Sequence, residues 1–235
     1  MVDMNRRELI GGAALLAASS AAVAPASAAN PAKGTKLSAA QALALLKEGN
    51  RRFVTDRPAS GPMSRARRLE IAKGQTPFAV LVSCSDSRVG PEQLFGRGLG
   101  ELFIVRNAGN TAASTQSMGS IEYAVAELGV PLVVVLGHER CGAVVAAASV
   151  VAQNTSFPGS IGRMVEPIIP AVLASRGQPG DMVENAVRQN VRMVVKQLRT
   201  SSEPMLLDPY KAGRLKVVGA YYDLDTGAVD FFDEG

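Results

Sequence analysis

Residues 78–82, FAVLV, form an apolar run with no polar alternation, and the run opens into Ser83, Cys84, Ser85, Asp86, Ser87 and Arg88. An unbroken run of this length predicts a strand buried on both faces, the pattern of a parallel sheet. Residues 131–136, PLVVVL, repeat the layout and open into Gly137, His138, Glu139, Arg140, Cys141 and Gly142. Residues 102–105 give a third buried strand, followed by Arg106, Asn107, Ala108, Gly109 and Asn110, with Gly109 supplying a positive φ. Residues 216–222 read as a fourth strand. The turn residues 223–227 then lead into an antiparallel edge strand at 228–232.

Helical spacing accounts for much of the rest. Residues 37–56 carry an apolar stripe through Ala40, Leu43, Leu45, Leu46 and Phe53, with Ser38 and Gln41 spaced as a capping box. Residues 117–128 bury Ile121, Ala124, Val125 and Leu128 and stop at Gly129. Further helices are predicted at 142–151, 161–173 and 182–198, while 91–100 is a loop with at most one helical turn. Together these predict an α/β fold: a mostly parallel central sheet of four to five strands flanked by helices. An antiparallel edge strand closes its C-terminal side, and a helical arm precedes it.

Residues 1–28 stand apart from this pattern. Arg6 and Arg7 precede a small, modestly apolar stretch, and Ala26, Ser27 and Ala28 make an A-x-A cleavage site. This reads as a secretory signal of the twin-arginine type, which implies export to the periplasm. A membrane anchor is the competing reading, but glycines and serines dilute the segment and it is short for a span, so no stable membrane insertion is expected after processing. Residues 29–36 are a linker, and 37–235 are expected to form a single domain. Asp3, Arg6, Arg7 and Glu8 cancel, so the remainder keeps the chain's net charge of +4. Its basic residues are scattered, the densest cluster being Arg65, Arg67 and Arg68, without interleaved aromatics, so no nucleic-acid partner is expected.

The candidate chemistry lies at the strand ends. Cys84 and Cys141 are the chain's two cysteines and His138 is its one histidine. If the sheet brings the strand ends together, two thiolates and an imidazole meet, a set that leaves one position of a tetrahedral zinc open. Two readings compete with it: a disulfide, common in exported proteins, and an ordinary core histidine. Export of an already folded, metal-loaded chain would reconcile free thiols with an oxidising destination.

The motifs C-S-D-S-R at 84–88 and H-E-R-C-G at 138–142, with His138 coming 54 residues after Cys84, resemble those of the β-class carbonic anhydrases, C-x-D-x-R and H-x-x-C. The resemblance extends from about residue 40 to the last strand and includes the R-N-A-G-N segment at 106–110. It implies zinc, one per subunit, on Cys84, His138 and Cys141, and reversible hydration of carbon dioxide to bicarbonate by a zinc-bound hydroxide. Asp86 would orient the attacking water and Arg88 would hold Asp86 ionised. Gln75, Tyr123 and Gly142 would bind substrate, Gln75 across a subunit interface, with an interface tyrosine the competing reading of Tyr123, so a homo-oligomer of at least two subunits is expected, a homodimer or homotetramer.

Some relatives close the site by letting the aspartate at position 86 become the fourth zinc ligand, a switch associated with a tryptophan. This chain has no Trp, which favours an open site. The hydrophobic wall of the carbon dioxide pocket has no candidate, because 111–117 are small and polar. The single histidine is committed to the metal, so protons are expected to leave through water and buffer. Three other functions remain open at this point: hydrolysis of carbonyl sulfide or carbon disulfide on the same scaffold, a non-enzymatic exported module with a Cys84–Cys141 disulfide, and a metal buffer.

Overall fold

The structure, a computed structural model, describes residues 34–235. The signal segment and most of the linker lie outside them. Five strands, β1 (Ala79–Ser83), β2 (Leu102–Arg106), β3 (Leu132–His138), β4 (Lys216–Tyr222) and β5 (Val229–Asp233), form one sheet in the order β2-β1-β3-β4-β5. All neighbours are parallel except β4 and β5. Every residue of β1 and β3 is buried, as the unbroken apolar runs require.

Alternate side chains separate into two cores, because successive residues of a strand face opposite ways. Val133 and Val135 point into one with Val80, Val82, Ile121, Val191 and Val195. Leu132, Val134 and Leu136 point into the other with Leu43, Leu46, Leu81 and Phe95. Helices on both faces supply these contacts. They are α1 (Ala39–Val54), α2 (Arg65–Ile71), α3 (Pro91–Leu94), α4 (Thr115–Ala126), α5 (Gly142–Gln153), α6 (Ser160–Val165), α7 (Ile169–Ala174), α8 (Met182–Arg199) and α9 (Pro204–Lys211).

The capping box of α1 forms as its spacing predicts: the Gln41 amide donates to Ser38 Oγ at 3.3 Å and the Ser38 amide to Gln41 Oε1 at 2.9 Å. Such a cap is worth about 1 kcal/mol. Farther along α1, buried Asn50 donates to the Gly227 carbonyl and accepts from the Val229 amide, each at 2.9 Å. The first helix is thus tied to the hairpin that ends the sheet. Within that hairpin, Asp223 Oδ1 accepts from the amides of Asp225 at 3.0 Å and Thr226 at 2.8 Å, which is side-chain-closed turn chemistry.

Four stretches differ from the sequence expectation. Strand β2, expected to be buried, lies at the sheet edge with Val105 its one buried residue. The helix expected over 161–173 is α6, a single 3₁₀ turn (Glu166–Ile168) and α7. Pro167 and Pro170 lack the amide hydrogens that a continuous helix needs, and each starts a new turn instead. Helix α9 was not expected; it is short, contains Pro209 and buries only Leu206, too little periodicity to read. Strand β3 runs two residues past the apolar run, so His138 belongs to the strand. Its register with β4 continues to His138↔Tyr222, a pairing that no local pattern encodes.

Candidate metal centre

Adjacent parallel strands bring the two motifs together. β1 and β3 pair up to Ser83↔Leu136, so Cys84 leaves the sheet beside the end of β3. His138 ends β3, and after a two-residue loop Cys141 becomes the N-cap of α5. All three are buried. The two sulfurs are 3.9 Å apart and unbonded, and the three ligand atoms lie within 4.8 Å of one another.

The imidazole is oriented by its own neighbour. His138 Nδ1 lies 2.9 Å from the Glu139 carbonyl, which can only accept, so Nδ1 carries the proton and Nε2 presents a lone pair. Among the described residues, Nε2 is one of three buried side-chain atoms without a hydrogen-bond partner, the others being Ser83 Oγ and Asn110 Nδ2. Leaving such an atom unsatisfied costs about 1–3 kcal/mol. Of the three, only Nε2 is a strong metal donor, and it faces two sulfurs. The donor set fits one zinc ion.

The electrostatics agree. The hydrogen bond from Cys141 pulls the Cys84 thiol down, against the opposing effect of burial, with His138 and the Gly109 amide adding to the shift. The same hydrogen bond and burial push Cys141 up. The pair therefore shares one proton where a divalent cation would take its place. Asp86 stands beside it, with Oδ2 3.9 Å from His138 Nε2. Arg88 grips both Asp86 oxygens, Nε to Oδ1 at 2.9 Å and the terminal nitrogen to Oδ2 at 2.7 Å, and its amide adds a bond to Oδ1 at 2.9 Å. The Arg88 guanidinium holds the Asp86 carboxyl well below the usual carboxylate range.

The family model described as "Carbonic anhydrase" matches residues 79–229, which include both motifs. Carbonic anhydrase 2 of Mycobacterium tuberculosis is 42% identical over 182 residues, spanning 77% of this chain and 87% of that protein. The carbonic anhydrase of Mycolicibacterium smegmatis is 40% identical, spanning 79% and 89%. Among solved structures, the β-carbonic anhydrase CcaA aligns with a TM-score of 0.64 at 26% identity, covering 81% of this chain and 95% of that one. A β-carbonic anhydrase of Aspergillus fumigatus, CafA, aligns at 0.62 with 27% identity, covering 83% and 91%.

The chain belongs to the β-class carbonic anhydrases. It is an enzyme of the lyase class, and its family and fold support carbon dioxide hydration. β-Carbonic anhydrases use zinc, and Cys84, His138 and Cys141 form a group able to bind one metal ion.

In this β-carbonic anhydrase, several residues support the cluster through contacts that the sequence did not show, although Arg106 and Gly109 stand in the R-N-A-G-N segment. Arg106 donates to the carbonyls of Cys84 and Asp86, each at 2.7 Å, and so fixes the turn that carries both. The Gly109 amide lies 3.4 Å from Cys84 Sγ, and its carbonyl accepts from buried Asn190 on α8 at 2.9 Å. Asn190 did leave a trace, as a polar residue within the apolar stripe of Val187, Val191 and Val194. Gly109 has φ 79, which disfavours any side chain, and a Cβ there would sit 2.4 Å from Ile168 Cδ1, so that side chain would have to shift.

The residues expected to bind substrate are dispersed. Gly142, at the first turn of α5, is exposed, and a Cβ added there would meet nothing within 4 Å. Gln75 is exposed on the segment entering β1 and, among the described residues, makes no hydrogen bond to the cluster. Tyr123 is half exposed on α4, with its ring 6.4 Å from that of Phe103 on β2.

Proposed function

We propose that Cys84, His138 and Cys141 hold one zinc ion and that the chain catalyses reversible hydration of carbon dioxide to bicarbonate and a proton. The observation that carries this reading is the buried, unpartnered Nε2 of His138 facing two thiols. Zinc held there supplies a Lewis acid that lowers the pKa of a water, less strongly than with three neutral histidines because two thiolates offset its charge.

The chain's own residues do the remaining work. The Glu139 carbonyl keeps Nδ1 protonated and Nε2 available. Asp86, held ionised by Arg88, accepts a hydrogen bond from the attacking water and orients it. The bidentate Arg88 contact engages both Asp86 oxygens, which supports an open site. Gly142 leaves room for substrate at the start of α5, and Gln75 and Tyr123 contribute from outside the cluster, Gln75 from a neighbouring subunit. The proton departs through water and buffer, since the only imidazole is engaged.

A homo-oligomer of at least two subunits follows from the role of Gln75, and the aligned β-carbonic anhydrases of Sordaria macrospora, at a TM-score of 0.62 and 25% identity, are described as tetrameric. Twin-arginine export to the periplasm completes the reading. Among the described residues no helix is long and apolar enough to cross a membrane.

Stopped-flow hydration of carbon dioxide, run beside sulfide release from carbonyl sulfide and carbon disulfide, tests the activity. Hydration that depends on bound zinc and exceeds sulfide release is the expected result. Sulfide release without hydration would move the substrate. Neither activity, with no titratable thiols after denaturation and metal stripping, would establish a disulfide-bonded module instead.

A further inference from the structure

The two positions between His138 and Cys141 are unspecified by the H-x-x-C pattern, yet here they carry a set of long-range contacts. Arg140 sits at φ 51, left-handed backbone that an arginine adopts only when its surroundings impose it. Its guanidinium forks onto Asp225, at 2.6 Å and 3.1 Å, and lies 3.2 Å from Glu139 Oε2. That Glu139 oxygen accepts from the Leu224 amide at 3.1 Å, and the Glu139 amide donates to the Tyr222 carbonyl at 2.9 Å. The loop joining two of the three candidate ligands is therefore held from the β4–β5 turn. The turn is itself fixed, by Asp223 from within and by Asn50 of α1 from outside.

We propose that Asp225 is a positioning residue for the metal centre, acting through Arg140: it holds the strained loop so that His138 and Cys141 face one ion. The inference rests on the ligand assignment proposed above. Arg140 and Asp225 are 53% and 68% exposed at the side chain, and an ion pair that open to water contributes little by itself. Its effect here lies in what it constrains. Without the fork, Arg140 relaxes toward ordinary backbone and carries Cys141 with it.

The test uses the full zinc-loaded chain and the Asp225→Asn and Asp225→Ala variants. Zinc release to a chromogenic chelator is followed at neutral pH, together with the absorption spectrum of the cobalt-substituted protein, whose thiolate bands report ligand geometry. Release is expected to accelerate roughly tenfold, the low end of what loss of a ligand-supporting contact costs, with altered cobalt bands. Arg140→Gly introduced into the Asp225→Ala background is expected to return release toward the wild-type rate, because glycine takes a positive φ unaided. Lys47→Ala, which removes an exposed ion pair with Glu234 elsewhere, is expected to leave release unchanged.

Wild-type release in the Asp225 variants, or no recovery with Arg140→Gly, overturns the clamp while the ligand assignment stands. A wild-type chain without zinc, or full zinc retention by Cys141→Ser, overturns the assignment and the clamp with it.

Discussion

Replacing Cys141 with serine is expected to abolish zinc retention and carbon dioxide hydration together. Cys141 is fully buried at the N-terminus of α5, where the helix end only partly offsets the rise that Cys84 and burial impose on its thiol. Serine is similar in shape, so packing against Val144 and Ile168 survives. Its hydroxyl does not ionise near neutral pH and is a harder, weaker donor to zinc than sulfur. Only Cys84 and His138 would remain as strong donors. Loss of a direct ligand exceeds the 10–100-fold penalty typical of outer-sphere changes, so kcat/KM should fall by more than about 10³-fold. Metal analysis and stopped-flow assay on the same preparation check this. Because the fold does not depend on the sulfur, the metal-free variant should melt with the metal-free wild type. Near-wild-type zinc content and rate would show that Cys141 is not a ligand.

Asp86→Asn is the second large effect, and it separates catalysis from metal binding. Asparagine keeps the shape and one acceptor for Arg88 but loses the charge that draws a water's proton toward Oδ2. Zinc content should stay at the wild-type level while kcat falls by about 10²–10⁴-fold, the range for a positioned proton acceptor. The pH dependence adds a check. Arg88 depresses the Asp86 pKa, so the carboxylate is present above its unfolded value and is lost only in acid below the ordinary carboxylate range. Asp86 therefore does not titrate near neutral pH. The variant should lower the plateau of the pH–rate profile without moving a midpoint near neutrality. An unchanged rate, or loss of zinc with the charge, would contradict the role.

How much of this was visible in the sequence varied with the range of the interaction. The strand ends that carry Cys84 and His138 were legible because fully buried parallel strands leave unbroken apolar runs. The capping box at Ser38 and the turn at Asp223 were legible because each is closed within a few residues. The helix expected over 161–173 failed at Pro167 and Pro170, where local breaking rules outweigh apolar spacing. α9 leaves no readable pattern because one buried leucine makes no period. What supports the site was hidden for a different reason. Arg106 reaches back to Cys84 and Asp86, Asn190 reaches Gly109, and Arg140 meets Asp225 85 residues away in the chain. Those partners are decided by sheet order, which no local spacing records.

The most direct examination of the centre is zinc-edge X-ray absorption on the purified protein. About two sulfur neighbours at ~2.3 Å together with nitrogen or oxygen neighbours at ~2.0–2.1 Å are expected, on one zinc per chain. A shell of nitrogen and oxygen alone would contradict the ligand assignment, as would zinc-free protein whose two cysteines are joined to each other.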